Sequence, residues 1–449
     1  MKSKLSSFAC FFLLLIILPI LMPPLRCRAN EPDGLFWNSI RAGNVSSDEP
    51  VVVVIDPGHG GDNLGAEYEE YTEKEITLVV ANAMYEELSR YDGVKVYLTR
   101  TGDTKMSLAE RAEFAASVNA DVLIALHFNM SENHNLFGSE VWVSAFGEKY
   151  QEGYAIGETF LEQFDELGIY RRGIKTRLGD DGDDYYGIIR ESRARDITSV
   201  IVEHCHLDQE NDHQFYNSSD KLLTLGEADA TAVARYFGLS SKKLGVDYSD
   251  YENVAVELPV SVMAPDLTPP DICYIELVEA DKDERTVKVR LSAEDYDSYL
   301  LYYSYSVDGG ETFSDLREWP DGDTFSFTIP VPNGISPNIV VNAYNKYDRI
   351  TASNALVIEG FPLVSGTEES EEDTMETQTE SITETTPESL QEAWNGKTDE
   401  EKEEEDKEWD RSFSAFLKIC GICMGILFFL LIIGYSYLGS KKRKRRRRF

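Results

Sequence analysis

VVVVIDPGHGG, residues 51–61, runs four valines and an isoleucine into a glycine-flanked histidine. Five consecutive β-branched residues followed by Pro-Gly read as a buried strand over 51–55 ending in a turn. The glycines invite a phosphate-binding reading, but a P-loop needs G-x-x-x-x-G-K-[ST] and a dinucleotide fold needs G-x-G-x-x-G after its strand. Gly58-His59-Gly60-Gly61-Asp62 has neither spacing, and the aspartate would repel phosphate. His59 is therefore the residue to explain.

A histidine beside a strand is ordinarily structural, so it needs partners before it counts as a ligand. His127 follows a second apolar run at 122–126, and Glu203 closes a third at 198–203. In open α/β sheets ligands bind beyond the carboxyl ends of the strands, and three residues of ligand type at three such ends point to one site. The helix expected over 73–90 adds a fourth. At about 100° per residue Glu73 shares the stripe of Ile76, Val80 and Met84, so its carboxylate turns inward, where it needs a cation. Glu75 lies on the solvent side and, with Thr72 as N-cap, spells a capping box. His59, Glu73 and His127 make a His₂Glu set, the donor chemistry of a catalytic zinc with one position left open.

DPGHGG at 56–61, Glu73-Lys74 opening a helix, ALHFN at 125–129, RRGIK at 171–175 and SVIVEHCHLDQENDH at 199–213 occur in that order. Together they resemble the zinc-dependent N-acetylmuramoyl-L-alanine amidases of bacterial cell walls, over about residues 50–239. The resemblance implies Zn²⁺ on His59, Glu73 and His127, and Glu203 as the catalytic glutamate. It also implies peptidoglycan as the substrate, cut between muramic acid and the L-alanine of its stem peptide. Cys205 and His206 stand where the family usually has a small residue and an aromatic, and Phe128 replaces a usual alanine; these departures bear on the substrate groove. Arg172, Lys175 and Arg190, the evident positive groups near the motifs, and Asn129 are the candidate substrate-binding residues.

The other histidines, His134, His204, His206 and His213, read as surface or packing residues, and Cys205 as a small buried filler. The acidic run 180–184 lacks EF-hand spacing and reads as a solvated lip.

Outward from the motifs, strands alternate with helices to about residue 239, the pattern of an α/β fold with a largely parallel central sheet flanked by helices. A catalytic domain at 49–239 and a linker at 240–267 are expected. From 268 to 360 short alternating strands with an Asp-Gly-Gly turn indicate a small β-sandwich of immunoglobulin or fibronectin type, read as a spacer in preference to a glycan- or protein-binding module. Residues 361–412 are Glu-, Thr- and Ser-rich, the composition of an acidic disordered stalk.

The two ends agree on an orientation. Residues 1–29 have the basic start, apolar run and small-residue cut site of a signal peptide, followed by a linker over 30–48. Residues 419–439 carry no charge and suffice for a bilayer core of about 30 Å, within an expected transmembrane helix at 413–440. The basic tail at 441–449 should stay cytoplasmic, so the catalytic domain faces outward, toward the wall, from a bacterial cell membrane. A formal net charge of −37, despite eight basic residues in that tail, argues against nucleic acid as a partner. The expected function is a membrane-anchored zinc amidase of cell-wall remodelling. The alternative is a catalytically silent, wall-binding or regulatory member of the same family.

Overall fold

The computed structural model describes residues 49–361. The signal peptide, the first linker, nearly all of the stalk, the membrane span and the basic tail lie outside the described residues. Among the described residues no helix is long and apolar enough to cross a membrane.

The valine run forms β1 (Val51–Pro57), buried along almost its whole length. A small hairpin, β2 (Glu67–Tyr68) and β3 (Tyr71–Thr72), leads into α1 (Glu73–Leu88). There follow β4 (Val94–Leu98), α2 (Leu108–Ser117), β5 (Val122–Asn129), β6 (Ser139–Val143) and α3 (Gly147–Glu166). β7 (Arg171–Lys175), α4 (Gly187–Arg193), β8 (Thr198–His206), α5 (Glu210–His213) and α6 (Ser219–Tyr236) complete the domain. The sheet order is β4-β1-β5-β8-β6-β7. β4, β1, β5 and β8 are parallel, as the alternation of strand and helix implies. β6 runs antiparallel to β8, and β7 is parallel to β6.

Because both faces of the central strands are covered by helices, those strands are continuously apolar. Helix α6 packs on both α1 and α3, and α2 packs on α4. Val54, Leu123, Ala125 and Ile201 meet Ala112, Ala115, Ile188 and Ile189 in one of the resulting cores. Gly226 of α6 lets the α1–α6 pair close, since a Cβ there would lie 2.5 Å from Ala83 Cβ.

The segment after α6 is not a free tether. It forms a hairpin of β9 (Ser240–Ser241) and β10 (Val246–Asp247). The chain then lies against the domain: Gln151 Nε2 donates to Val256 O at 2.6 Å, and Met263 N to Ala145 O at 2.9 Å.

Beyond it two antiparallel sheets face each other. One is β11 (Ile272–Asp281), β12 (Thr286–Glu294) and β15 (Thr324–Pro330). The other is built from β13 (Leu300–Ser306), β14 (Arg317–Glu318), β16 (Asn338–Asn345) and β17 (Ile350–Ala352), with β18 (Leu356–Val357) against β16. Ile275, Val287, Val289, Leu291, Ile329, Ile339 and Val341 fill the space between them, the alternating inner faces of a sandwich. A separate apolar cluster joins sandwich to α/β domain: Leu301, Tyr302, Leu316 and Tyr344 pack with Phe137, Leu136 and Tyr170.

Candidate metal centre and its surroundings

β1 delivers Asp56 and Pro57 to the end of the sheet, and the chain turns there through residues 58–61. Two arginines hold this turn by its carbonyls. Arg111 of α2 donates to Pro57 O at 2.8 Å and His59 O at 2.5 Å, while its Nη1 pairs with Asp56 Oδ1 at 2.6 Å. Arg100 donates to Pro57 O at 3.0 Å and Gly58 O at 2.6 Å. Both guanidiniums are buried, so these are charge-assisted bonds out of bulk water. They fix a turn in which His59 has φ 61, a left-handed backbone uncommon for a residue with a side chain. That turn aims the imidazole across the sheet end.

The ring reaches Glu73 at the start of α1: His59 Nε2 lies 2.9 Å from Glu73 Oε2, and His59 Nδ1 lies 2.9 Å from Asn63 Oδ1. Glu73 is 4% exposed, as its place on the apolar stripe requires. Its other oxygen lies 2.9 Å from His127 Nδ1. Phe128 N donates to Oε1 and Ala66 N to Oε2, which orients both lobes of the carboxylate.

One donor atom from each of His59, Glu73 and His127 lies within 4.8 Å of the others. Two imidazoles and a carboxylate at this separation, with the carboxylate buried and fixed by backbone amides, are a donor set that fits zinc. Burial alone would raise the Glu73 pKa, but the two histidines outweigh it and hold the carboxyl well below its usual range. Burial pushes the His127 pKa down, favouring the neutral form a metal needs, with Glu73 opposing. At His59 burial also acts downward, but Glu73 outweighs it and the net shift is upward.

The expected N-terminal box of α1 does not form. Thr72 makes no side-chain cap; Glu73 N and Lys74 N donate to Ala66 O and Leu64 O of the preceding loop. Glu75 is exposed, as its position on the helix predicts.

β5 and β8 both run past the expected ends, to Asn129 and His206, so His127 and Glu203 are direct neighbours in the parallel ladder. Glu203 Oε2 is enclosed with no hydrogen-bond partner. Burial raises the Glu203 pKa well above the carboxylate range, and the charges of Glu73 and Glu140 add to the effect. The sheet thus places a carboxyl of raised proton affinity on the strand beside the donor set.

Comparison with known proteins assigns the domain to a family. Residues 53–235 match the family model described as N-acetylmuramoyl-L-alanine amidase. The chain is 30% identical over 193 residues to the N-acetylmuramoyl-L-alanine amidase CwlM of Bacillus licheniformis, covering 42% of this chain and 70% of that one. It belongs to this family. Its function is accordingly that of an amidase acting on peptidoglycan. The sporulation-specific N-acetylmuramoyl-L-alanine amidase of Bacillus subtilis (strain 168) is 29% identical over 192 residues, 42% of this chain and 69% of the relative. The catalytic domain of the amidase CwlV from Bacillus (Paenibacillus) polymyxa var. colistinus is 26% identical, with a TM-score of 0.36, over 41% of this chain and 97% of that one.

Two of the candidate substrate contacts of the amidase, Arg172 and Lys175, need correction. Arg172 and Lys175 are 1% and 2% exposed. Arg172 Nε and Lys175 Nζ bind the same oxygen, Glu140 Oε2, at 2.8 and 2.6 Å, so neither charge is free for a peptide carboxylate. Arg190 turns back on its own loop, donating to Asp184 O at 2.7 Å. Asn129 Nδ2 donates to Glu140 Oε1 at 3.0 Å. Part of the acidic run is also structural: Asp184 is buried, accepting from Ser144 Oγ and Ala145 N.

His204 and His206 are packing residues, His204 held by Asp229 at 2.9 Å and His206 beneath Gly138 O at 3.1 Å. Cys205 is buried and free. Sequence reasoning missed Glu140, Arg100 and Arg111. The available signal was the buried Asp56 in an otherwise apolar strand, which needs a cation.

Proposed function

We propose that the domain binds Zn²⁺ on His59, Glu73 and His127 and uses Glu203 to hydrolyse the amide between the lactyl group of muramic acid and the L-alanine of the stem peptide. The observation that carries this reading is the convergence of the three donors beside a half-buried glutamate with an enclosed, unpartnered oxygen. Zinc, when bound, supplies a Lewis acid for the amide carbonyl and lowers the pKa of water into the neutral range.

The chain's own residues do the rest. Glu203 takes a proton from the attacking water as its oxygen bonds to the carbonyl carbon. It returns that proton to the amide nitrogen as the C–N bond breaks, leaving a lactyl carboxylate and a free L-alanine amine. An environment that raises the proton affinity of Glu203 suits a group that must carry the proton between the two transfers. Arg100 and Arg111 hold the turn bearing His59, Asn63 orients its ring, and Phe128 N and Ala66 N fix Glu73. The complete donor set and Glu203 together favour an active hydrolase over a silent wall-binding member.

We also propose that the enzyme works from the outer face of a bacterial membrane, anchored by the helix at 413–440 with its basic tail inside. The uncharged run 419–439 and the block at 441–448 support that topology.

Detergent-solubilised full-length protein, loaded with zinc, is expected to release stem peptides with free L-alanine amino termini from purified peptidoglycan. No release, or equal release by Glu203→Ala, would overturn the hydrolase reading. Protease added to intact, wall-stripped cells should remove the catalytic domain and spare an epitope at the C-terminus.

A further inference from the structure

The α/β domain contains half of a buried charge cluster. Arg172 and Lys175 of β7 converge on one carboxylate, Glu140 of β6, and all three are at most 2% exposed. Two cations and one anion leave an uncompensated positive charge inside the protein, which is strongly unfavourable. The missing anion comes from the β-sandwich. Asp348, in the turn between β16 and β17, places Oδ2 2.7 Å from Arg172 Nη2 and 3.8 Å from Lys175 Nζ.

The same face of the sandwich pairs further polar groups in and around β7. Arg172 Nη1 donates to Tyr302 OH at 2.9 Å, Tyr302 OH donates to Phe137 O, and Tyr299 OH donates to Arg172 O at 3.1 Å. Thr176 N donates to Tyr347 OH at 3.2 Å.

On its other side the cluster touches the catalytic strand pair. Glu140 is the antiparallel partner of Glu203 in the β6–β8 ladder. Its Oε1 accepts from Asn129 Nδ2 and from Trp142 Nε1, both at 3.0 Å. Asn129 stands two residues after His127 on β5. A continuous series of charged hydrogen bonds therefore runs from Asp348 and Tyr302 through Arg172 to Glu140, beside Glu203.

We propose that the β-sandwich is a positioning element of the active site, with Asp348 and Tyr302 fixing Arg172 and, through it, Glu140 and the strand that carries Glu203. None of these four residues touches the reacting atoms; they act through Glu203, so the inference rests on the hydrolase reading above. The sandwich is then a permanent part of the working enzyme rather than a spacer between wall and membrane.

The test compares Asp348→Asn, Tyr302→Phe and Asp348→Glu in the full-length protein, with Tyr170→Phe as a control. Tyr170 OH donates to Leu301 O at 2.5 Å in the same interface but outside the cluster. Hydrogen exchange over 139–143 and 198–206 is read alongside kcat and KM per zinc-loaded chain. Asp348→Asn and Tyr302→Phe are expected to speed exchange in those strands and to lower kcat roughly tenfold with KM within twofold, as misplacement of a catalytic group does. Asp348→Glu is expected to recover most of both, and Tyr170→Phe to change neither. Exchange and kcat that stay at wild-type levels in the first two variants, or that change equally in Tyr170→Phe, would overturn the proposal. Should the wild type prove inactive, the hydrolase reading fails while the exchange data still decide whether the sandwich orders the β6–β8 pair.

Discussion

Gly58 and His127 are in close apposition: a Cβ on Gly58 would lie 2.5 Å from His127 Cε1 and 2.7 Å from its Nδ1. The first glycine of the DPGHGG motif thus makes room for the proposed ligand His127, which arrives from a different strand. Gly65 does the same on the other side, where an added Cβ would meet Glu73 Oε2 and approach His59 Cδ2 to 2.6 Å. Gly58→Ala should therefore displace the imidazole of His127 and weaken zinc binding about 10- to 100-fold, the range seen when the surroundings of a ligand are disturbed. Competition with a chromogenic chelator measures this directly; unchanged affinity would mean that the turn yields more easily than the ring.

Glu203 stands beside the donor set without belonging to it. Glu203→Gln preserves shape and removes the proton acceptor, so turnover should fall about 10²- to 10⁴-fold while zinc content stays at the wild-type level. His59→Ala should do the reverse in order, losing metal first and activity as a consequence. Metal analysis by mass spectrometry, run beside the peptide-release assay, separates the two; a metal-free Glu203→Gln protein would make Glu203 a ligand.

The convergence of His59, Glu73 and His127 was legible because its signal is local. A strand pattern ends at His59, another runs into His127, and one turn of helical arithmetic puts Glu73 inward. The place of Glu203 beside His127 was legible for the same reason, although β5 and β8 continue through these two residues where the sequence pattern suggested that they stop. Arg172 and Lys175 were misread because their partners are remote in the chain: Glu140 lies 32 residues before Arg172, and Asp348 lies 176 after it. Near a motif, a basic residue looks available for substrate until the fold reveals the acid that neutralises it. The capping box also failed, and the loop before α1 folds back to supply Glu73 N and Lys74 N with main-chain carbonyls that a local pattern cannot foresee.

Asp56 and Arg111 form a pair that is 2% and 3% exposed. Removing one partner leaves the other charged and buried, which typically costs about 3–5 kcal/mol. Arg111→Met should destabilise the α/β domain by that order in urea unfolding, because Asp56 keeps only Thr99 Oγ1, at 2.5 Å, as a side-chain donor. The variant also releases His59 O and leaves Pro57 O with its bond from Arg100 Nε, so zinc affinity should fall with stability. A double variant, Asp56→Asn with Arg111→Met, should be more stable than Arg111→Met alone; a further loss would show that the pair's value lies in its hydrogen bonds and not in charge balance.

Acid stability turns on two neighbours with opposite shifts. Burial, with Arg172 adding, keeps His206 neutral and lowers its pKa from 6.5 to about 3. Below pH 6.5 the unfolded chain takes a proton there that the folded chain refuses, so this contribution is full above pH 6.5 and is lost as pH falls toward 3. Burial raises Asp212 from 3.8 to about 6 although His206 N and Gly138 N donate to it at 2.8 and 2.7 Å. Here the folded chain takes the proton first, so stability is gained as pH falls from 6 to 3.8. Each slope is about 1.4 kcal/mol per pH unit, and between pH 6 and 4 the two nearly cancel. Below pH 4 His206 acts unopposed, and Glu140, held well below the carboxylate range by Lys175 and Arg172 against the effect of burial, adds its own loss. Asp212→Asn removes the compensating term. Its unfolding free energy, measured by urea titration at a series of pH values, should fall relative to wild type by about 1.4 kcal/mol per unit on acidification from pH 6 to 4. Parallel curves for the two proteins across that window would mean that Asp212 is already ionised in the folded state at pH 4.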